Sequence, residues 1–81
     1  MNDGDILSRI HDLIDEEHRL RERLRSGEVT SNEENARIRE LETALDQCWD
    51  LLRQRRARRD AGQDPDGASV RPAREVEGYR Q

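Results

Sequence analysis

Phenylalanine and lysine are absent from the 81 residues, and cysteine, tryptophan and tyrosine occur once each. With so few aromatic side chains, any core must be aliphatic. The lone Cys48 has no partner for an internal disulfide, so nothing covalent staples one copy of the chain. No run of leucine and isoleucine exceeds two residues, which excludes a membrane span. The opening Met1-Asn2-Asp3-Gly4-Asp5 lacks the basic and apolar regions of a secretory signal, so the expected address is cytoplasmic.

What is present is charge and leucine. Charged residues make up 42% of the chain and the broad hydrophobic set only 31%, with a net charge of −4. That balance argues against a protein that binds polyanions over its whole surface. A chain of this length holds one domain at most and buries a limited share of its surface, so a partner is the usual source of extra stability. All leucines and isoleucines lie between Ile6 and Leu52, and their spacing decides the fold class.

In the first segment Ile6, Ile10, Leu13, Leu20 and Leu24 recur at intervals of four, three, seven and four, with Glu17 in the skipped position. This heptad stripe predicts a helix over about 5–25, capped by Asn2 or Asp3 and stopped by Gly27. A second stripe, Ile38, Leu41, Leu45, Cys48 and Leu52, follows a doubled capping signal in which Thr30 precedes Glu33 and Ser31 precedes Glu34. It predicts a helix over about 32–61, ending near Gly62. The connection, 26–31, has the length of an antiparallel helix turn.

One register satisfies both stripes. Ile6 faces Leu52, Ile10 faces Cys48, Leu13 faces Leu45, Glu17 faces Leu41, Leu20 faces Ile38 and Leu24 faces Glu34, and the numbers of each pair add to 58. Charge agrees, since helix one runs acidic to basic and helix two also runs acidic to basic, so antiparallel packing sets opposite signs side by side. The expected fold is all-α: an antiparallel two-helix coiled-coil hairpin over 1–61 and a tail over 62–81, extended or partly docked. Glu17 in the seam requires a cation, for which Arg37 or an arginine of another copy is the candidate.

Beside the seam lie Leu7, Ile14 and Trp49 on one flank and Ala44 and Leu51 on the other, an apolar face wider than one partner helix covers. The expectation is self-association into a homodimeric four-helix bundle. The alternative cover is the tail, through Val70, Val76 and Tyr79. Self-association makes the chain a small interaction or scaffolding module with a further, unknown protein partner.

Three chemistries compete with that reading. Arg53, Arg55, Arg56, Arg58 and Arg59 crowd one helical stretch and suit phosphate, predicting weak, sequence-tolerant nucleic-acid binding; the favoured view has them offset the helix dipole and face Asp3, Asp5, Asp12 and Asp50. His11, Asp15 and His18 have helical ligand spacing, but they fall on an outward face and lack a second ligand-bearing helix, so no metal or other cofactor is expected. Cys48 reads as a small core residue with no cation beside its sulfur. No nucleophile has a neighbouring base and no glycine-rich phosphate loop is present, so the chain is expected not to be an enzyme.

Glu16-Glu17-His18 with Leu20-Arg21, the run from Leu45 through Trp49 to Ala57, and the ending Val76-Glu77-Gly78-Tyr79 resemble a family of short actinobacterial proteins, the domain of unknown function numbered 2630. The likeness covers nearly the whole chain. It implies an actinobacterial, intracellular, stand-alone protein and supplies no activity, ligand or site residue.

Overall fold

The computed structural model describes residues 2–28 and 31–74. Helix α1 spans Asp3–Ser26 and helix α2 spans Ser31–Asp60, followed by a single 3-10 turn at Pro65–Gly67. Among the described residues there is no strand.

Local chemistry accounts for both helix lengths. At the start of α1 the Asn2 side chain accepts from the Asp5 amide at 2.8 Å while the Asp5 carboxylate accepts from the Asn2 amide, a reciprocal box that starts the helix three residues ahead of Ile6, the first of its apolar stripe. Gly27 at φ 75° and Gly62 at φ 73° terminate the two helices in the left-handed region that side chains disfavour. After Gly62 the Gln63 amide returns to the Arg58 carbonyl at 2.7 Å, closing the last turn of α2. The predicted cap at Thr30 lies outside the described residues.

The seam has the expected register. All ten predicted seam residues belong to two adjoining apolar clusters: Leu13, Leu20, Ile38 and Leu41 with Leu24, Leu45 and Cys48 against them, and Ile6 and Ile10 with Leu45, Cys48 and Leu52. Ile6, Ile10, Leu13, Leu20, Ile38 and Leu41 are buried, whereas Leu24, Leu45, Cys48 and Leu52 are half-buried at the margins. Ion pairs across the seam flank it on both sides, Arg37 with Glu16 at 2.6 Å and Arg21 with Glu42 at 3.2 Å.

Glu17 finds its cation on its own helix. Arg21, one turn on, donates to it at 2.8 Å, while Arg37 is occupied by Glu16 and Glu40. The expectation of Arg37 fails because that side chain emerges on the opposite flank. Glu34, facing Leu24, is buried with one carboxylate oxygen lacking a hydrogen bond.

The molecule measures 51 × 26 × 15 Å. A helix with its side chains is about 10–12 Å across, so the hairpin is scarcely more than one helix thick. Both flanks of the seam are therefore at the surface unless something lies over them.

Candidate interaction surface

One flank is covered by the chain itself. Asp64 caps the 3-10 turn by accepting from the Asp66 amide at 2.9 Å, and the turn sends the backbone back along α2. On the return path Gln54 donates to the Ser69 carbonyl at 2.7 Å and Gln47 donates to the Arg71 carbonyl at 3.2 Å. Ala68 packs on the cluster of Ile6, Ile10 and Leu51. A shallow apolar groove of about 220 Å³ remains beneath the tail, with Ala44, Cys48, Leu51 and Val70 in its walls.

The tail is held by charge. Asp50 has no exposed surface; it accepts from Arg71 Nε at 2.9 Å and from Arg71 Nη2, and from the Gln54 amide at 2.9 Å. This two-pronged guanidinium holds the Asp50 carboxyl below its ordinary value against the opposing effect of burial, and Gln54 assists. The sequence pattern did not single out Arg71. Asp50 lies on the outward side of a two-helix hairpin, and only the returning tail buries it.

The end of the seam is a second ionic site. Arg55 is buried and donates to Asp3 of α1 and, at 2.9 Å, to Asp66 of the tail turn, so one guanidinium joins three segments. Arg59 pairs with Asp3 at 2.9 Å. These cations, Arg59 foremost, hold the Asp3 carboxyl below its usual value. The rule that facing numbers add to 58 already pairs Asp3 with Arg55. Extending the register one step past Ile6 and Leu52 singles out Arg55 from the arginines expected to face Asp3.

This placement agrees with the favoured expectation that the arginines of 53–59 face Asp3 and Asp50, and it weighs against the alternative of one open basic surface. Arg55 is withdrawn from solvent, since it continues the seam. Arg59 is engaged by Asp3, Arg53 lies 3.9 Å from Asp50, and the Arg58 guanidinium lies over Gly67 so closely that a Cβ there would fall 2.6 Å from its nitrogen. Arg56 alone among the five is exposed and meets no carboxylate of the described residues. A phosphate would have to displace Asp3 and Asp66 to reach Arg55 and Arg59, which weakens the attraction that a basic run supplies.

Of the predicted self-association residues, Leu51 is buried at 6% exposure in the cluster on which Ala68 packs, and Ala44 is half-buried against the seam. Leu51 is thus a core residue and not part of a free surface. Leu7, Ile14 and Trp49 remain open at 41, 37 and 44% exposure. Val70 of the tail is also open, at 61% exposure.

Other candidates carry little sign of chemistry, although His18 borders this flank, lining a surface hollow with Ile14, Glu17 and Arg21. Burial pushes the Cys48 thiol up, opposed only by the charge of Arg9, a cation that the sequence reading did not foresee. His11 and His18 are exposed on α1, and among the described residues no group of three or more metal-binding side chains is gathered. Among those residues, too, no helix is long and apolar enough to cross a membrane.

Fold and surface together define a class: a minimal antiparallel helical hairpin whose own tail is clasped over one flank and whose other flank is left apolar. The chain belongs to the family described as "Protein of unknown function (DUF2630)", which matches residues 2–81. The uncharacterized proteins Mb0922c of Mycobacterium bovis and Rv0898c of Mycobacterium tuberculosis are similar to it, each 54% identical over 77 residues that cover 95% of this chain and 88% of the relative. The actinobacterial family that the central segment resembled is thereby shown. No solved structure matches the chain.

Proposed function

We propose that this protein is a non-catalytic interaction module that self-associates through the flank carrying Leu7, Ile14 and Trp49, most simply as a homodimer built from two hairpins. One observation carries the reading. Ala68 of the tail packs on the cluster that holds Leu51, and among the described residues the opposite flank, with the chain's single tryptophan, is exposed.

The size of the flank suits a specific contact. Along the 24 residues of α1 it offers about 36 Å by about 20 Å, roughly 700 Å² per copy. A standard stable interface buries roughly 800 Å² per partner. Four helices around a shared centre would then enclose side chains that two cannot.

Trp49 reports on this directly. On dilution from millimolar to nanomolar, its emission should shift to longer wavelength as the dimer separates, and Leu7→Asn with Ile14→Asn should abolish the shift by leaving the chain monomeric throughout. Emission independent of concentration in the unaltered protein, at the wavelength of a hydrated indole, would reject the reading.

A further inference from the structure

The exposed flank has an internal order that favours one way for two copies to meet. On α1, Leu7, Ile14 and Arg21 are spaced seven apart, and on α2 so are Arg56, Trp49 and Glu42, so each set lies along one helix face. The helices are antiparallel and Arg21 pairs with Glu42 at 3.2 Å. One heptad away Ile14 therefore lies beside Trp49, and a heptad further Leu7 lies beside Arg56. The strip has an apolar middle, an end with an ion pair, and an end where Arg56 has no acid among the described residues.

Resting on the self-association proposed above, we infer that the second copy packs on this strip about a two-fold axis that lies in the interface, crosses the helices at right angles and passes through Ile14 and Trp49. Each helix then runs antiparallel to its own counterpart. Ile14 meets Ile14 and Trp49 meets Trp49 on the axis. Glu42 and Arg56 are each about 10.5 Å from Trp49 along α2, so Arg56 of one copy reaches Glu42 of the second. Leu7 lies against the aliphatic stem of Arg21 of the second copy. Symmetry repeats every contact, giving two new ion pairs per dimer.

The competing two-fold, parallel to the helices, is distinguishable. It would put Ile14 on Trp49 and Arg21 beside Glu42, repeating the pair each copy already has, and would set Arg56 over Leu7, whereas the crossing axis brings Arg56 to Glu42 as its second cation beside Arg21. Only the crossing axis supplies Arg56 with an acid.

Reversing charges on the full chain tests the arrangement, with sedimentation equilibrium at low salt as the readout and far-UV circular dichroism to confirm helicity. Arg56→Glu and Glu42→Arg should each raise the dimer dissociation constant by about tenfold, because two exposed pairs turn from attraction to repulsion. The double variant should return to within about threefold of the unaltered protein. In a Cys48→Ala background, Ile14→Cys should form an intermolecular disulfide under mild oxidation, since the two positions adjoin on the axis. A dimer indifferent to Arg56→Glu, or a double variant no tighter than the singles, would overturn the axis while leaving self-association standing. An unaltered protein that stays monomeric at every concentration would overturn both.

Discussion

Replacing Arg71 with alanine attacks the clasp at its cation. Asp50 is fully buried and receives its hydrogen bonds from two nitrogens of Arg71 and one of Gln54, so the variant leaves a buried carboxylate with the Gln54 amide and Arg53 at 3.9 Å. In a rigid interior, removing the partner of a buried charge costs about 3–5 kcal/mol. Here the tail provides an escape. It is otherwise held by Gln54 on the Ser69 carbonyl, Gln47 on the Arg71 carbonyl, the Arg55 link to Asp66 and the packing of Ala68. Neutral hydrogen bonds of this kind contribute about 1 kcal/mol each, set against the entropy of ordering the segment. Lifting the tail hydrates Asp50, so the loss is limited by the tail's docking free energy, and about 1–3 kcal/mol of global stability should disappear. Asp50→Leu should cost less, since Arg71 is already 32% exposed and can turn to water while no buried charge is stranded. Urea denaturation gives the global figure. Hydrogen exchange at the Gly67 and Ala68 amides, bonded to the Asp64 and Pro65 carbonyls, reports the tail. An Arg71→Ala protein with unchanged midpoint and unchanged exchange at those amides would refute the reasoning.

Further outcomes follow from the same contacts. Leu41 is 1% exposed in the middle of the seam, so Leu41→Ala should destabilise by about 3 kcal/mol in a denaturant titration. Gly62→Ala places a Cβ at φ 73° and should cost about 1 kcal/mol by the same measurement. Asp50 and Asp3 are both held below the ordinary carboxylate value of 3.8, by Arg71 and by Arg59 with Arg55 respectively. A depressed folded value means that their stabilisation is complete above the unfolded value and is lost as pH falls through it toward the folded one. Thermal melts should therefore weaken below about pH 4, and Arg71→Ala should flatten that dependence.

How far the residues announced this structure depends on how local each cause was. The seam was legible because Ile6 through Leu24 and Ile38 through Leu52 repeat at helical spacing, and the reversal because Gly27 follows the first stripe and a capping signal precedes the second. Register was legible because two stripes of matching phase admit one alignment, and the observed clusters keep it. That the arginine run faces Asp3 was legible from the antiparallel charge order, but not which of its members is buried; the same arithmetic singles out Arg55 as the partner of Asp3. The clasp had no local signal. Asp50 faces outward from two helices, and its burial arises from Arg71, which the 3-10 turn at Pro65–Gly67 returns to it from 21 residues away. Leu51 was assigned to the free surface for the same reason, since the tail that covers it has no periodicity to betray its path. The open flank of Leu7, Ile14 and Trp49 was readable because nothing nonlocal altered it.

The most direct measurement is sedimentation equilibrium of the unaltered chain across a wide concentration range. The account predicts a mass rising from 9.5 kDa toward about twice that value and no further, because a two-fold contact closes on itself. A mass fixed at 9.5 kDa up to millimolar protein would contradict it, for Leu7, Ile14 and Trp49 would then remain in water with no second copy to cover them.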